Sequence, residues 1–218
     1  MIRLPILVLV VFAGLIGSAT PVIASDEDVS IRGNFPQMLA RGETTVQMAN
    51  RIAVLLINLD RLIAPPCGMK RVFVFAGADH VDADDLAVRV DPAKPGVWRL
   101  AVRGRGCWAD RLHNVFVYPR GAQPAELRAG APGQSVAGPR LQGQAMQLVF
   151  REANGLAIRS GCEDPAFLSD TSVRKVRRPG QAWEELWSAT ACEVTRKFLV
   201  MFTPEAGGRT RVAVALFD

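Results

Sequence analysis

Two segments of this chain share one skeleton. WEELWSATACEVTRKFLVMFTP, from Trp183 to Pro204, and WRLAVRGRGCWADRLHNVFVYP, from Trp98 to Pro119, each run Trp, nine residues to Cys, four to Arg and eight to Pro. Aligned without gaps, Trp98 matches Trp183, Cys107 matches Cys192, Arg111 matches Arg196, Val115 matches Val200 and Pro119 matches Pro204. Trp and Cys each occur four times in 218 residues, so this shared spacing marks a structural unit used twice. Upstream, Lys94-Pro95-Gly96 mirrors Arg178-Pro179-Gly180, displaced by one residue.

The front of the first copy reads as a helix. Thr44 and Gln47 have capping-box spacing, in which each side chain satisfies a backbone N–H at the helix start. Met48, Ile52, Leu55, Leu56, Leu59, Leu62 and Ile63 then cover one face at helical spacing. Pro65-Pro66 stops the helix before Cys67, because proline lacks the N–H and clashes with the preceding turn. In the second copy Met146, Val149, Phe150, Ala153 and Ala157 have helical spacing, ending before Gly161-Cys162. Asn154-Gly155 within that run is also a hairpin-turn signal, and the repeat favours the helix.

After each first cysteine the pattern turns to strands: RVFVFAG, LAVRV, the Trp-to-Cys segments, HNVFVY, KFLVMF and RVAVALF. Ala206-Gly207-Gly208 suits a hairpin between the last two. KFLVMF is apolar on both faces, as in a central strand covered on each side. The expected fold class is therefore α+β, with two pseudo-repeats, each a helix followed by an antiparallel sheet. Residues 1–24 read as a signal peptide, 25–43 as an N-terminal extension, 44–130 as the first repeat and 131–218 as the second.

Met1, Ile2 and Arg3 make a short basic start, LPILVLVVFAGLIG is an apolar run of leader length, and Val22-Ile23-Ala24 offers a cleavage site. No later stretch is apolar enough for a membrane helix, and IAVLLINLDRLIA carries Asn58, Asp60 and Arg61. The expected product is periplasmic or secreted. There, Cys67, Cys107, Cys162 and Cys192 read as two disulfides with three possible connectivities. The simplest keeps each bond inside its copy, Cys67 to Cys107 and Cys162 to Cys192. No C-x-x-C pair is present, which excludes a thioredoxin-like redox motif.

Chemistry is sparse. The two histidines are His80 and His113, and the sequence holds no H-E-x-x-H, no nucleophile elbow beyond the leader and no phosphate-binding glycine loop. His113 aligns with Phe198, which suits packing better than catalysis. Asp79, Asp82, Asp84 and Asp85 form an acidic cluster that could offer calcium several oxygens, although its spacing lacks the glycine and glutamate of an EF-hand. A solvated loop explains the same residues more simply. Arg174, Lys175, Arg177 and Arg178 form a basic loop, and the net charge of +5 suits weak attraction to anionic surfaces. Nucleic acid is not an expected partner, since no aromatic-basic module is present. Trp183 and Trp187, four apart with Glu185 between them, share one face of a strand. Exposed, they would make a stacking platform for a sugar; buried, they would be core.

The string Trp183-x-Glu185-x-Trp187, Cys192, Phe202-x-Pro204 and Gly207-Gly208 resembles a pattern in small exported proteobacterial proteins of unknown function. The resemblance covers about the last forty residues and implies a periplasmic, disulfide-bonded α+β domain with no catalytic residue to carry over. The functional expectation is a non-enzymatic exported protein that binds an envelope partner or supports an envelope assembly, with no cofactor required. The alternative is a small-ligand or carbohydrate binder using a groove between the copies or a Trp-lined surface. A hydrolase or metal-dependent enzyme comes third.

Overall fold

The computed structural model describes residues 43–63, 72–81, 96–105, 111–175 and 180–217. Helix α1 (Thr45–Ile63) precedes strands β1 (Val72–Val81), β2 (Val97–Arg105), β3 (Arg111–Arg120) and β4 (Gln123–Ala129). Helix α2 (Pro139–Arg159) precedes β5 (Phe167–Lys175), β6 (Trp183–Ala191), β7 (Val194–Pro204) and β8 (Thr210–Phe217). The strands form two antiparallel four-stranded sheets, ordered β1-β2-β3-β4 and β5-β6-β7-β8. The class is α+β, as the patterning implies.

The capping box of α1 is present: the Thr44 N–H donates to Gln47 Oε1 at 2.8 Å, and the Gln47 N–H donates to Thr44 Oγ1 at 3.2 Å. The helix buries Met48, Ala49, Ile52 and Leu56 against Phe73, Phe75, Trp98, Leu100, Val102, Val115 and Val117. Asn154-Gly155 lies inside α2, so the hairpin alternative does not occur. Leu141, Ala145, Val149 and Ala153 are buried at helical spacing against Leu168, Trp183, Trp187, Phe198, Val200 and Phe202. A turn there would have pulled this apolar face off the sheet.

The two sheets share a register. In the first, Trp98 pairs with Val117 and Val115 with Ala129; in the second, Trp183 pairs with Phe202 and Val200 with Val214. Every one of these positions moves by the same 85 residues, so these pairings of β2-β3-β4 and β6-β7-β8 have the same register.

Several expectations are corrected. β4 (QPAELRA) and β5 (FLSDTSVRK) lie outside the strands that the pattern predicts, because both are edge strands with few fully buried residues, and bulges interrupt the alternation of β5. Arg174 and Lys175 end β5 rather than forming a loop; Arg174 lies over the Phe217 ring and 3.8 Å from Glu184. KFLVMF is central, with Phe198, Val200 and Phe202 buried, but Leu199 and Met201 on its other face are only half-buried. LAVRV, Arg177, Arg178, Trp108, the leader and residues 25–42 lie outside the described residues.

Cys162 and Cys192 form a disulfide with Cα atoms 6.0 Å apart, tying the end of α2 to the β6–β7 turn. Cys192 and Glu193 both have positive φ, 44° and 66°, as a two-residue hairpin that follows the sheet's twist requires. Cys67 and Cys107 lie outside the described residues, so one of the two expected bonds is described.

Residues 130–138, GAPGQSVAG, connect the halves and bond to both. The Gly130 N–H donates to Asn114 O and the Gly133 N–H to Leu112 O, each at 2.7 Å, on the first sheet. The Gln134 N–H donates to Thr171 O at 2.7 Å, and the Thr171 hydroxyl donates to Pro132 O, on the second. Buried Asn114 donates its amide to Ala131 O and Gly133 O, and buried Gln142 of α2 bonds Ala131 N–H and Ala137 O. Gly133 has φ 86°, and a side chain there would strike the Thr171 backbone, so only glycine fits.

Candidate functional site

A cavity of about 420 Å³ opens between the halves. Leu59 of α1 and Arg111 and His113 of β3 form one side; Met146 and Phe150 of α2 and residues 165–168 at the start of β5 form the other, over Ala129, Gly130 and Pro132. Small-molecule sites commonly occupy cavities of about 300–1,000 Å³ lined mostly by apolar groups.

The sequence places these residues by simple periodicities. Alternation along β3 puts Arg111 and His113 on the same face as buried Val115 and Val117, beyond the stretch that α1 covers. Met146 and Phe150, four apart, lie beside the buried stripe of α2 and stay half-buried. Asn154 Oδ1 accepts the Ala166 N–H at 2.7 Å and holds the Pro165–Phe167 wall against the helix. Gly130 leaves no room for a side chain between Phe116 and Gln142, which brings the floor close to β3.

The electrostatics of the cavity are one-sided. Burial, and then the Arg111 charge, push the His113 imidazole down to about 4, so it is neutral at ordinary pH. His113 also meets Phe73 edge-on at 6.1 Å. Among the described lining residues Arg111 is the one full charge, and none carries a carboxylate, hydroxyl or thiol. Those residues offer no nucleophile or acid–base pair.

The other candidate residues lie elsewhere. Trp183, Glu185 and Trp187 do share one face of β6, but all three are fully buried under α2, so they form no sugar platform. Trp187 Nε1–H donates to Glu185 Oε2 at 2.8 Å and Trp183 Nε1–H to Oε1 at 3.2 Å. The Val136 N–H of the connector also donates to Oε1, at 3.0 Å. Burial raises the Glu185 pKa; hydrogen bonds from Trp187, Ser135, Val136 and Trp183 oppose the rise. Trp183 stacks on Phe202 with ring centroids 4.6 Å apart. This cluster ties connector to sheet.

Asp79 pairs with Arg99 at 3.0 Å, while Asp82, Asp84 and Asp85 lie outside the described residues. Among the described residues no group of three or more His, Cys, Asp or Glu side chains is placed to hold a metal ion. His80 is buried beside Trp98, 4.8 Å between centroids, with Nδ1 unpartnered. No described helix is long and apolar enough to cross a membrane. A second, more polar groove of about 540 Å³ runs between the first sheet and residues 133–136, past Asp79, Arg99 and Asn114. Sequence reasoning reached His113 and Arg111 as repeat positions but not as cavity walls, because their neighbours Met146, Phe150 and Phe167 come from the other half.

Searches against protein-family models, curated proteins and solved structures find no match.

Proposed function

We propose that this chain is an exported, non-enzymatic binding protein, built from a duplicated helix–sheet unit, which holds a small apolar ligand in the cavity between its halves. The cavity carries the functional reading: an apolar chamber with walls from both halves is what a small-ligand binder needs and what a purely structural support does not. It favours a ligand over an envelope partner as the bound species, and the interior position of Trp183 and Trp187 argues against a carbohydrate surface. The common shift of 85 residues across three strands supports duplication, with Cys67–Cys107 as the counterpart of Cys162–Cys192. Export to the periplasm rests on the leader-like residues 1–24, and the Cys162–Cys192 bond suits an oxidising compartment.

The test is titration of the full disulfide-bonded protein with the uncharged fluorophore N-phenylnaphthylamine. We expect saturable, enhanced emission from the native protein. Met146→Trp, which fills the cavity from α2, should abolish it while leaving far-ultraviolet circular dichroism unchanged. Emission that does not saturate with the native protein, or that persists in Met146→Trp, would remove the cavity as the site.

A further inference from the structure

We infer that the Cys162–Cys192 bond is a redox latch on the cavity: thiol–disulfide exchange with a dithiol opens it and frees the wall that Pro165 and Ala166 build. The inference rests on the cavity reading above and adds its regulation.

The bond stands next to the wall in the chain. Cys162 follows the end of α2, and the chain then passes through Glu163 and Asp164 into the cavity lining at Pro165 and Ala166. Glu163, Asp164 and Pro165 are exposed, so burial does little to hold them. The disulfide fastens the start of this segment to the β6–β7 turn. The Ala166 N–H fastens it to Asn154 Oδ1 at 2.7 Å, and pairing with β6 begins at Phe167. Opening the bond removes the first of these fastenings.

The surroundings of the bond suit exchange. Cys192 is exposed, and exposed disulfides are the ones that thiols reach and open. Cys192 and Glu193, with φ of 44° and 66°, hold a left-handed turn that Gly and Asn adopt more readily, so the closed hairpin carries backbone strain. A hollow of about 210 Å³ beside the bond is lined by both cysteines, Ala157, Ser160, Ala191 and Arg196, and the Arg196 charge attracts an approaching thiolate. The dithiol's thiolate attacks Cys192 Sγ, the S–S bond breaks, and its electron pair leaves with Cys162 Sγ, which takes a proton. The second thiol then closes on the mixed disulfide and releases Cys192 as a thiol, so the protein is reduced and the dithiol becomes a disulfide. Attack at Cys162 would instead leave the charge on Cys192, whose sulfur lies 3.6 Å from Asp164 Oδ2.

The test treats the native protein with dithiothreitol, traps thiols with iodoacetamide and maps Cys162 and Cys192 by peptide mass spectrometry. Both should be alkylated while far-ultraviolet circular dichroism stays native. N-phenylnaphthylamine affinity should then fall about tenfold. Hydrogen exchange at the Ala166 amide should quicken by about tenfold, with Val200 in central β7 unchanged. Cys67 and Cys107 meet the same reductant, so Cys162→Ala/Cys192→Ala is the control, and dithiothreitol should alter neither its probe affinity nor its Ala166 exchange. A pair that opens only when the fold is lost would overturn the latch. So would an opened pair with unchanged Ala166 exchange and probe affinity, or a reductant effect that persists in the double variant; in each case the cavity reading stands. If the probe does not bind the oxidised protein, the cavity reading fails and the latch falls with it.

Discussion

His113 occupies, at the shift of 85 residues, the position that Phe198 fills in the second sheet, and burial gives that exchange a pH dependence. The folded protein holds the imidazole at about 4, whereas an unfolded histidine titrates near 6.5. As pH falls, the unfolded chain takes up the proton first. The contribution is therefore fully present above about 6.5 and is lost between there and about 4, reaching about 3 kcal/mol. Urea unfolding at about pH 7 and about pH 4.5 should show His113→Phe losing less stability than native protein, by about 2 kcal/mol. Equal losses would contradict the burial argument. Glu185 works in the opposite sense: its folded pKa is raised, so acidification favours the folded state, and it does so in both proteins. At this scale alternation was legible and its meaning was not. Trp183, Glu185 and Trp187 had to share a face, but a two-residue period cannot say whether that face meets water or a helix. The partners that decide it, Val136 and the buried side of α2, are distant in sequence.

Among elements, α2 and the β6–β7 hairpin are joined by the Cys162–Cys192 bond across 30 residues. Replacing both cysteines by alanine frees that loop in the unfolded chain and should cost about 3–4 kcal/mol in the chain-entropy account. A thermal or urea melt of the double variant measures it; an unchanged melt would mean that other contacts already hold the helix end to the hairpin. The helices were legible because their apolar residues recur every three or four positions; at Asn154-Gly155, where a hairpin signal competes, the repeat favours the helix. The central strands were legible because a buried strand is apolar. The edge strands were not: β4 fully buries only Ala125, and the bulges of β5 put Leu168 and Thr171 out of step. Arg174 and Lys175 read as loop residues for the same reason, since edge strands carry charge.

Across the whole molecule the connector from residue 130 to 138 does most to define how the halves meet. Asn114, whose counterpart at the shift of 85 is Leu199, holds two connector carbonyls from within the first sheet. Asn114→Leu should leave them unpaired and destabilise the protein by about 2–4 kcal/mol, read as a lower urea midpoint. It should also weaken N-phenylnaphthylamine binding, because the connector floors the cavity; full binding by the folded variant would show the floor to be held by other bonds. The sequence sets a repeat boundary at residues 130–131, but no local pattern reveals that the segment there is buried and bonded on both sides. The meander order has a kinetic consequence. Every strand in each sheet pairs with its immediate neighbour in the chain, so β1 to β4 need nothing from later residues to close their ladders. A polypeptide delivered from its N-terminus can finish that sheet while the rest is still arriving. The connector's bonds to Thr171 and Glu185 must wait for β5 and β6, which makes docking of the halves a late event and leaves the cavity unbuilt until α2 and the start of β5 are in place.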